Sequence, residues 1–158
     1  MAPLDLSIRD AKAADAGTIA RYNARLAEES EGMRLLPEIV GPGVEALLAD
    51  PSRGRYWVAE ADGRVVGQIM VTYEWSDWRN GSIWWIQSVY VAPEARRRGA
   101  YSALHRAVLD QARRAGDVCG VRLYVESANR AAQSTYERLG MHAARYRLYE
   151  QAVGPLAG

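Results

Sequence analysis

Two short turn signals govern how the middle of this chain folds. Ala61-Asp62-Gly63 separates Tyr56-Trp57-Val58-Ala59 from the run Val65 to Val71, and Asn80-Gly81 precedes a third β-rich run, Ile83 to Val91. Asp-Gly and Asn-Gly favour the positive φ angles of tight hairpin turns, so these three runs are expected as antiparallel neighbours. Before them, Leu6 and Ile8 alternate with polar residues like a strand. Asp15 to Glu29 carries Ile19, Tyr22 and Leu26 at helical spacing. Ser30 to Gly43, with Gly32, Pro37, Gly41 and Pro42, reads as a loop or broken helical segment. Val44 to Ala49 reads as a short helix stopped by Asp50-Pro51. After the hairpins come a helix from Gly99 to Ala115, a strand from Val121 to Val125, a helix from Asn129 to Leu139 and a last strand from Arg145 to Glu150. The order is that of an α+β protein with a mixed sheet. No internal repeat or boundary is visible, so residues 1–158 are expected to form a single domain.

Bulk properties narrow the function classes. A net charge of +1 provides no extended basic face, which argues against nucleic acid and against anionic membranes as partners. Cys119 is the only cysteine, and His105 and His142 are the only histidines. No thiolate or histidine metal centre is therefore expected. His105 reads as mid-helix on a solvated face, and neither it nor Cys119 receives a role. No apolar run approaches the roughly 18 residues that cross a bilayer, and the start lacks a signal-peptide pattern, so a cytoplasmic location is expected.

The chemistry is concentrated in one stretch. Val89-Tyr90-Val91 ends a strand, Arg96-Arg97-Arg98-Gly99 forms a basic turn, and Ala100-Tyr101-Ser102 opens a helix. A helix start presents amides without partners and a partial positive charge. Gly99 lets the backbone approach an anion, and three arginines add forked donors. The set suits a diphosphate better than a carboxylate. A P-loop is disfavoured, because its Gly-x-x-x-x-Gly-Lys-Ser/Thr spacing is absent.

Arg96-x-x-Gly99 after this strand resembles the acetyl-CoA signature (Gln/Arg-x-x-Gly-x-Gly/Ala) of GCN5-related N-acetyltransferases. Asn129, Ala131-Ala132 and Tyr136 to Met141 are similar to the family's later Asn-x-x-Ala…Tyr…Gly-Phe segment. Tyr101 departs from the pattern, standing where the family has its final Gly or Ala. The resemblance implies a mostly antiparallel mixed sheet of six to seven strands with four helices on both faces. It also implies that the strands near residues 83–91 and 120–126 splay apart. Acetyl-CoA is the implied cosubstrate, its pantetheine pairing with backbone groups of Val89 and Val91 and its diphosphate held around Arg96 to Ser102. Tyr90, Asn129 and Tyr136 complete the implied cofactor contacts.

The implied reaction passes acetyl directly from the CoA thioester to a primary amine, most simply that of a small molecule. Acetylation of a protein or peptide and a non-catalytic acetyl-CoA sensor are the alternatives. An alkylammonium of pKa about 10.4 must lose a proton first, at a cost of roughly 4–5 kcal/mol at neutral pH. Many relatives help with a strand carboxylate at a position that aligns with Trp85; this chain has no acid there. Glu74, Asp77 and Glu126 are the remaining candidate bases. The resemblance assigns Tyr136 to the departing thiolate. Trp75, Trp78, Trp84 and Trp85 crowd the second hairpin, as core, as a dimer contact or as an aromatic wall. In the last reading Trp75 and Trp84, with Asp77 and Glu29, line the acceptor pocket, and Glu28 to Pro42 covers it. Homodimers are frequent among such proteins.

Overall fold

The computed structural model describes residues 1–155. It divides into two compact units, Met1–Leu123 and the segment from Tyr124 onward. The first unit is built on one mixed sheet of five strands in sequence order: β1 (Ser7–Asp10), β2 (Arg55–Ala61), β3 (Arg64–Ser76), β4 (Gly81–Val91) and β5 (Val118–Leu123). The first four are antiparallel neighbours and β5 runs parallel to β4. Asp62 (φ 51°) and Gly63 (φ 71°) turn β2 into β3, and Asn80 (φ 46°) stands before β4, as their residue types demand.

Alternate residues of the strands serve two cores. Trp57, Ala59, Ile69, Val71, Trp84 and Ile86 pack with Leu104 and Val108 of α3 (Ala100–Ala115). On the other face, Tyr56 and Val58 pack with Ile19 of α1 (Ala16–Glu31) and Val44 of α2 (Pro37–Ala49). A short 3-10 turn at Ala13–Asp15 precedes α1; Asp15 accepts two bonds from Arg9, which holds its carboxyl below the usual range. In the second unit, α4 (Arg130–Arg138) begins at Asn129, whose Oδ1 accepts the Ala132 amide at 3.1 Å.

Three expectations change. The sheet has five strands, not six to seven. Arg145 to Glu150 forms no strand, and Tyr146 and Tyr149 are exposed: alternation makes a strand only where a ladder partner exists, and none pairs with it among the described residues. The Ser30–Gly43 segment is half helix, since α2 starts at Pro37 and runs through Pro42. The amide lost at Pro42 is outweighed by packing of Val40, Val44, Leu47 and Leu48 against the β2 core. No helix among the described residues is long and apolar enough to cross a membrane.

A fork in the sheet and its neighbouring groups

The parallel ladder between β4 and β5 runs from Ser82–Val118 to Ile86–Leu123 and stops there. β4 continues to Val91, still paired to β3 on its other side. Beyond Ile86, where β5 ends at Leu123, its second edge has no strand partner among the described residues, so the sheet opens there and Gln87 to Val91 are the one described arm of this fork. The register of β3 on β4 slips between Met70–Ser88 and Val71–Ile86, which makes Gln87 an extra residue at the mouth of that fork. A bulge of this kind bends the strand and re-aims its backbone groups. Val89 and Val91 lie on this arm, the stretch of β4 that the family resemblance singles out.

At the end of the arm the chain turns through Pro93–Ala95 and then enters α3. Arg97 (φ 60°) and Gly99 (φ 92°) both adopt left-handed backbone, and nothing lies within 4 Å of where a Gly99 side chain would project. Such a bend, followed by the first turn of a 16-residue helix, directs amides and the positive end of the dipole at one open spot. The three arginines separate in role. Arg96 donates to the Val91 carbonyl at 2.9 Å and to Glu29 Oε2 at 2.6 Å. Arg98 donates to the Ala2 carbonyl at 3.0 Å, while its own carbonyl accepts the Leu4 amide. The Arg97 guanidinium makes no hydrogen bond or ion pair among the described residues, which leaves it available to an anion.

Glu29 lies at the Arg96–Gly99 bend rather than among the hairpin tryptophans. Its Oε1 accepts the Tyr90 hydroxyl at 2.9 Å, so Arg96 and Tyr90 share one carboxylate. Burial pushes that carboxyl up, but the bonds from Arg96 and Tyr90 and the Arg96 charge outweigh it, and the net displacement is downward. Tyr90 itself is buried and stacks on Tyr22 at 4.9 Å, so its side chain is core and only its backbone faces the fork.

Trp85 and Arg122 form the second-last rung of the parallel ladder, and Thr72 faces Trp85 from β3. These three share the sheet face that α1 and α2 partly cover, because Trp84 beside them points into the α3 core. The Trp85 indole donates to Glu74 Oε2 at 2.6 Å, and the Arg122 guanidinium stands 3.7 Å from the same oxygen and 5.8 Å from the Trp85 ring centre. An acid is thus present beside Trp85, supplied by the neighbouring strand. Sequence reading missed Arg122; a lone basic residue on a strand carries no signal until the register is known.

The remaining candidates are scattered. Trp84 is 7% exposed and packs against Trp57 at 6.0 Å, so it is core and not a pocket wall. Trp75 and Trp78 are exposed at the hairpin tip with Asp77, at the opposite end of the β4–β5 ladder from the fork. In the second unit, Glu126 Oε2 caps the Ala128 amide at 2.9 Å, and Tyr136 is partly buried on α4. His105 is 2% exposed, not solvated, with Tyr101 5.9 Å away and neither ring nitrogen hydrogen-bonded among the described residues; burial lowers its pKa.

Comparison with known proteins decides the family. The model of the acetyltransferase (GNAT) family matches residues 22–141, spanning the fork, the bend and the Asn129–Tyr136 segment. This chain belongs to the GNAT acetyltransferase family. A possible acetyltransferase from Clostridium difficile 630 is 45% identical, with 95% of this chain and 99% of that one covered and a TM-score of 0.90. Two more distant structures share the fold. One is a ribosomal-protein-alanine N-acetyltransferase from Brucella melitensis biovar Abortus 2308, at 21% identity, 94% and 99% coverage and TM-score 0.75. The other is the aminoglycoside N-acetyltransferase AAC(6')-Iy in complex with CoA, at 15%, 96% and 97%, and 0.79. No curated protein matches. The GNAT family uses acetyl-CoA, and the bend fits the diphosphate of that cosubstrate: left-handed backbone, open space at Gly99 and an unengaged Arg97 lie at one helix start.

Proposed function

We propose that this GNAT protein is an acetyl-CoA-dependent N-acetyltransferase acting on the primary amine of a small molecule. The observation that carries the reading is the fork between β4 and β5, which leads along an unpaired strand edge to the Arg97–Gly99 bend. Acetyl-CoA supplies an activated acyl group: the amine nitrogen forms a bond to the acetyl carbon, the C–S bond breaks, and sulfur leaves as a thiolate that takes up a proton. The chain's own groups handle the rest. Backbone groups of Val89 and Val91 pair with the pantetheine amides as a neighbouring strand would. The amides of the bend and first turn of α3, with Arg97, hold the diphosphate, while Arg96 and Arg98 keep the bend in shape.

Glu74, fixed by the indole of Trp85, takes the ammonium proton that relatives pass to a strand acid at the Trp85 position. That nearby acid supports the enzymatic reading over a sensor. Tyr136 donates to the departing thiolate, a role that rests on its place in the family motif. The small size of the acceptor is favoured over a protein target by the compact polar set beside the fork. Calorimetry with acetyl-CoA tests the first half of the reading, and free-thiol release over a panel of amines tests the second. Absence of binding heat would defeat the whole assignment, and binding without turnover on any amine would defeat the enzymatic part.

A further inference from the structure

The Glu74–Trp85–Arg122 group has a property that a simple amine site does not need. Arg122 brings a positive charge to the very carboxylate that would receive an ammonium. Its pairing with Glu74 is loose. At 3.7 Å the contact exceeds a charge-assisted hydrogen bond, and the Glu74 oxygen involved already accepts the Trp85 indole at 2.6 Å. A guanidinium carries five N–H donors. With its side chain 37% exposed and no acceptor at hydrogen-bond range among the described residues, Arg122 stands one rung from the fork with donors to offer. Glu74, at 46%, is equally reachable. The two opposite charges cancel, so the surface has a direction rather than a net charge.

Resting on the N-acetyltransferase reading above, we infer that the acceptor is a zwitterion of the α-amino acid type, its ammonium on Glu74 and its carboxylate on Arg122. A planar fork matches a carboxylate in two-point fashion, which a point charge does not. The Trp85 indole borders both charged groups, donating to Glu74 at 2.6 Å with its ring centre 5.8 Å from the Arg122 guanidinium, and gives an apolar side chain a surface to rest on. A polyamine satisfies Glu74 but sets its second cation against Arg122, so the arrangement selects against it.

The test compares amino acids with the amines left by removing their carboxyl group: tryptophan with tryptamine, tyrosine with tyramine, leucine with isoamylamine. Free-thiol release gives kcat/KM for each, in the parent protein and in Arg122→Gln and Arg122→Lys. The expected parent preference for the amino acid is roughly tenfold to a hundredfold, the worth of one charged hydrogen-bonded contact. Arg122→Gln collapses that ratio toward one, and Arg122→Lys restores part of it. Acetyl-CoA affinity by calorimetry and a thermal melt accompany each variant, so that an unfolded Arg122→Gln is recognised; the parent's preference then stands as the deciding measurement. A parent that acetylates the carboxyl-free amines as well as the amino acids overturns this inference while leaving the acetyltransferase reading intact. Acetyl-CoA binding with no turnover on either set overturns it too, and absence of acetyl-CoA binding overturns the broader reading instead.

Discussion

Glu29 joins the end of α1 to the Arg96–Gly99 bend proposed to hold the cosubstrate, and replacing it by Gln isolates what that join does. The substitution keeps the shape and a hydrogen-bonding partner for Tyr90 but removes the charge that holds Arg96. The Arg96–Glu29 contact is short, 2.6 Å, yet both side chains are nearly half exposed. Screening by water therefore puts its worth at about 0.5–1 kcal/mol, well below that of a buried pair. If the contact holds the bend in its anion-binding shape, all of that appears in cosubstrate affinity, as an acetyl-CoA Kd weakened roughly twofold to fivefold. Arg96→Gln should weaken binding at least as much, since it also loses the bond to the Val91 carbonyl, and the double variant no more than Arg96→Gln alone, because the Arg96–Glu29 contact is already gone in each single. Isothermal calorimetry measures all four proteins. The direction of pH dependence follows from the Glu29 carboxyl lying below its ordinary 4.5. A depressed carboxyl contributes fully above the unfolded value and loses that contribution as pH falls through the folded one. Parent and Glu29→Gln should differ by a constant factor at neutral pH and converge below 4.5. Additive losses in the double variant, or a Kd unmoved by Glu29→Gln, would refute the reasoning.

Four further outcomes are expected. Glu74→Gln should lower kcat by roughly a hundredfold or more, as loss of a general base does, with acetyl-CoA affinity unchanged; stopped-flow turnover beside calorimetry checks it. Tyr136→Phe should slow turnover about tenfold with little change in cosubstrate Kd, and equal rates would take Tyr136 out of the mechanism. Leu104→Ala, at a side chain wholly buried between α3 and the sheet, should cost about 2–5 kcal/mol in urea unfolding. Burial holds His105 below its ordinary 6.5, so the unfolded chain takes a proton that the folded chain refuses. Stability should therefore decline as pH falls through 6.5, and His105→Leu should flatten that limb in thermal melts.

The turns and helix ends are legible in the sequence, because their cause is local. Asp62-Gly63 and Asn80 need left-handed backbone, Gly99 and Gly116 bracket α3, and Asn129 caps α4 with its own side chain. Each is a preference expressed within a few residues, so most of the linear order of elements, and the left-handed bend at the start of α3, were visible in the chain. The mixed sheet followed from that order. Helix breakers misled where tertiary packing was stronger: Pro42 sits inside α2 because the apolar side chains around it have the β2 face to cover.

The site depends on contacts that no local rule contains. Trp84 and Trp85 are adjacent and chemically identical, yet one is core and the other faces the fork, since successive strand side chains take opposite sides. Which takes which is fixed by the register on β3 and by the bulge at Gln87. His105 is buried because, one turn on from Tyr101 and beside Leu104 and Val108, it falls on the sheet-facing stripe of α3. Arg96 meets Glu29 across 67 residues, and Arg122 meets Glu74 only because β5 lies parallel to β4 while β3 lies antiparallel on its other side. The amino-acid order alone set out the basic Arg96–Gly99 bend at a helix start; the strand pairing decided which carboxylate and which guanidinium stand beside the fork, because those side chains approach one another only through the sheet's hydrogen-bond ladder.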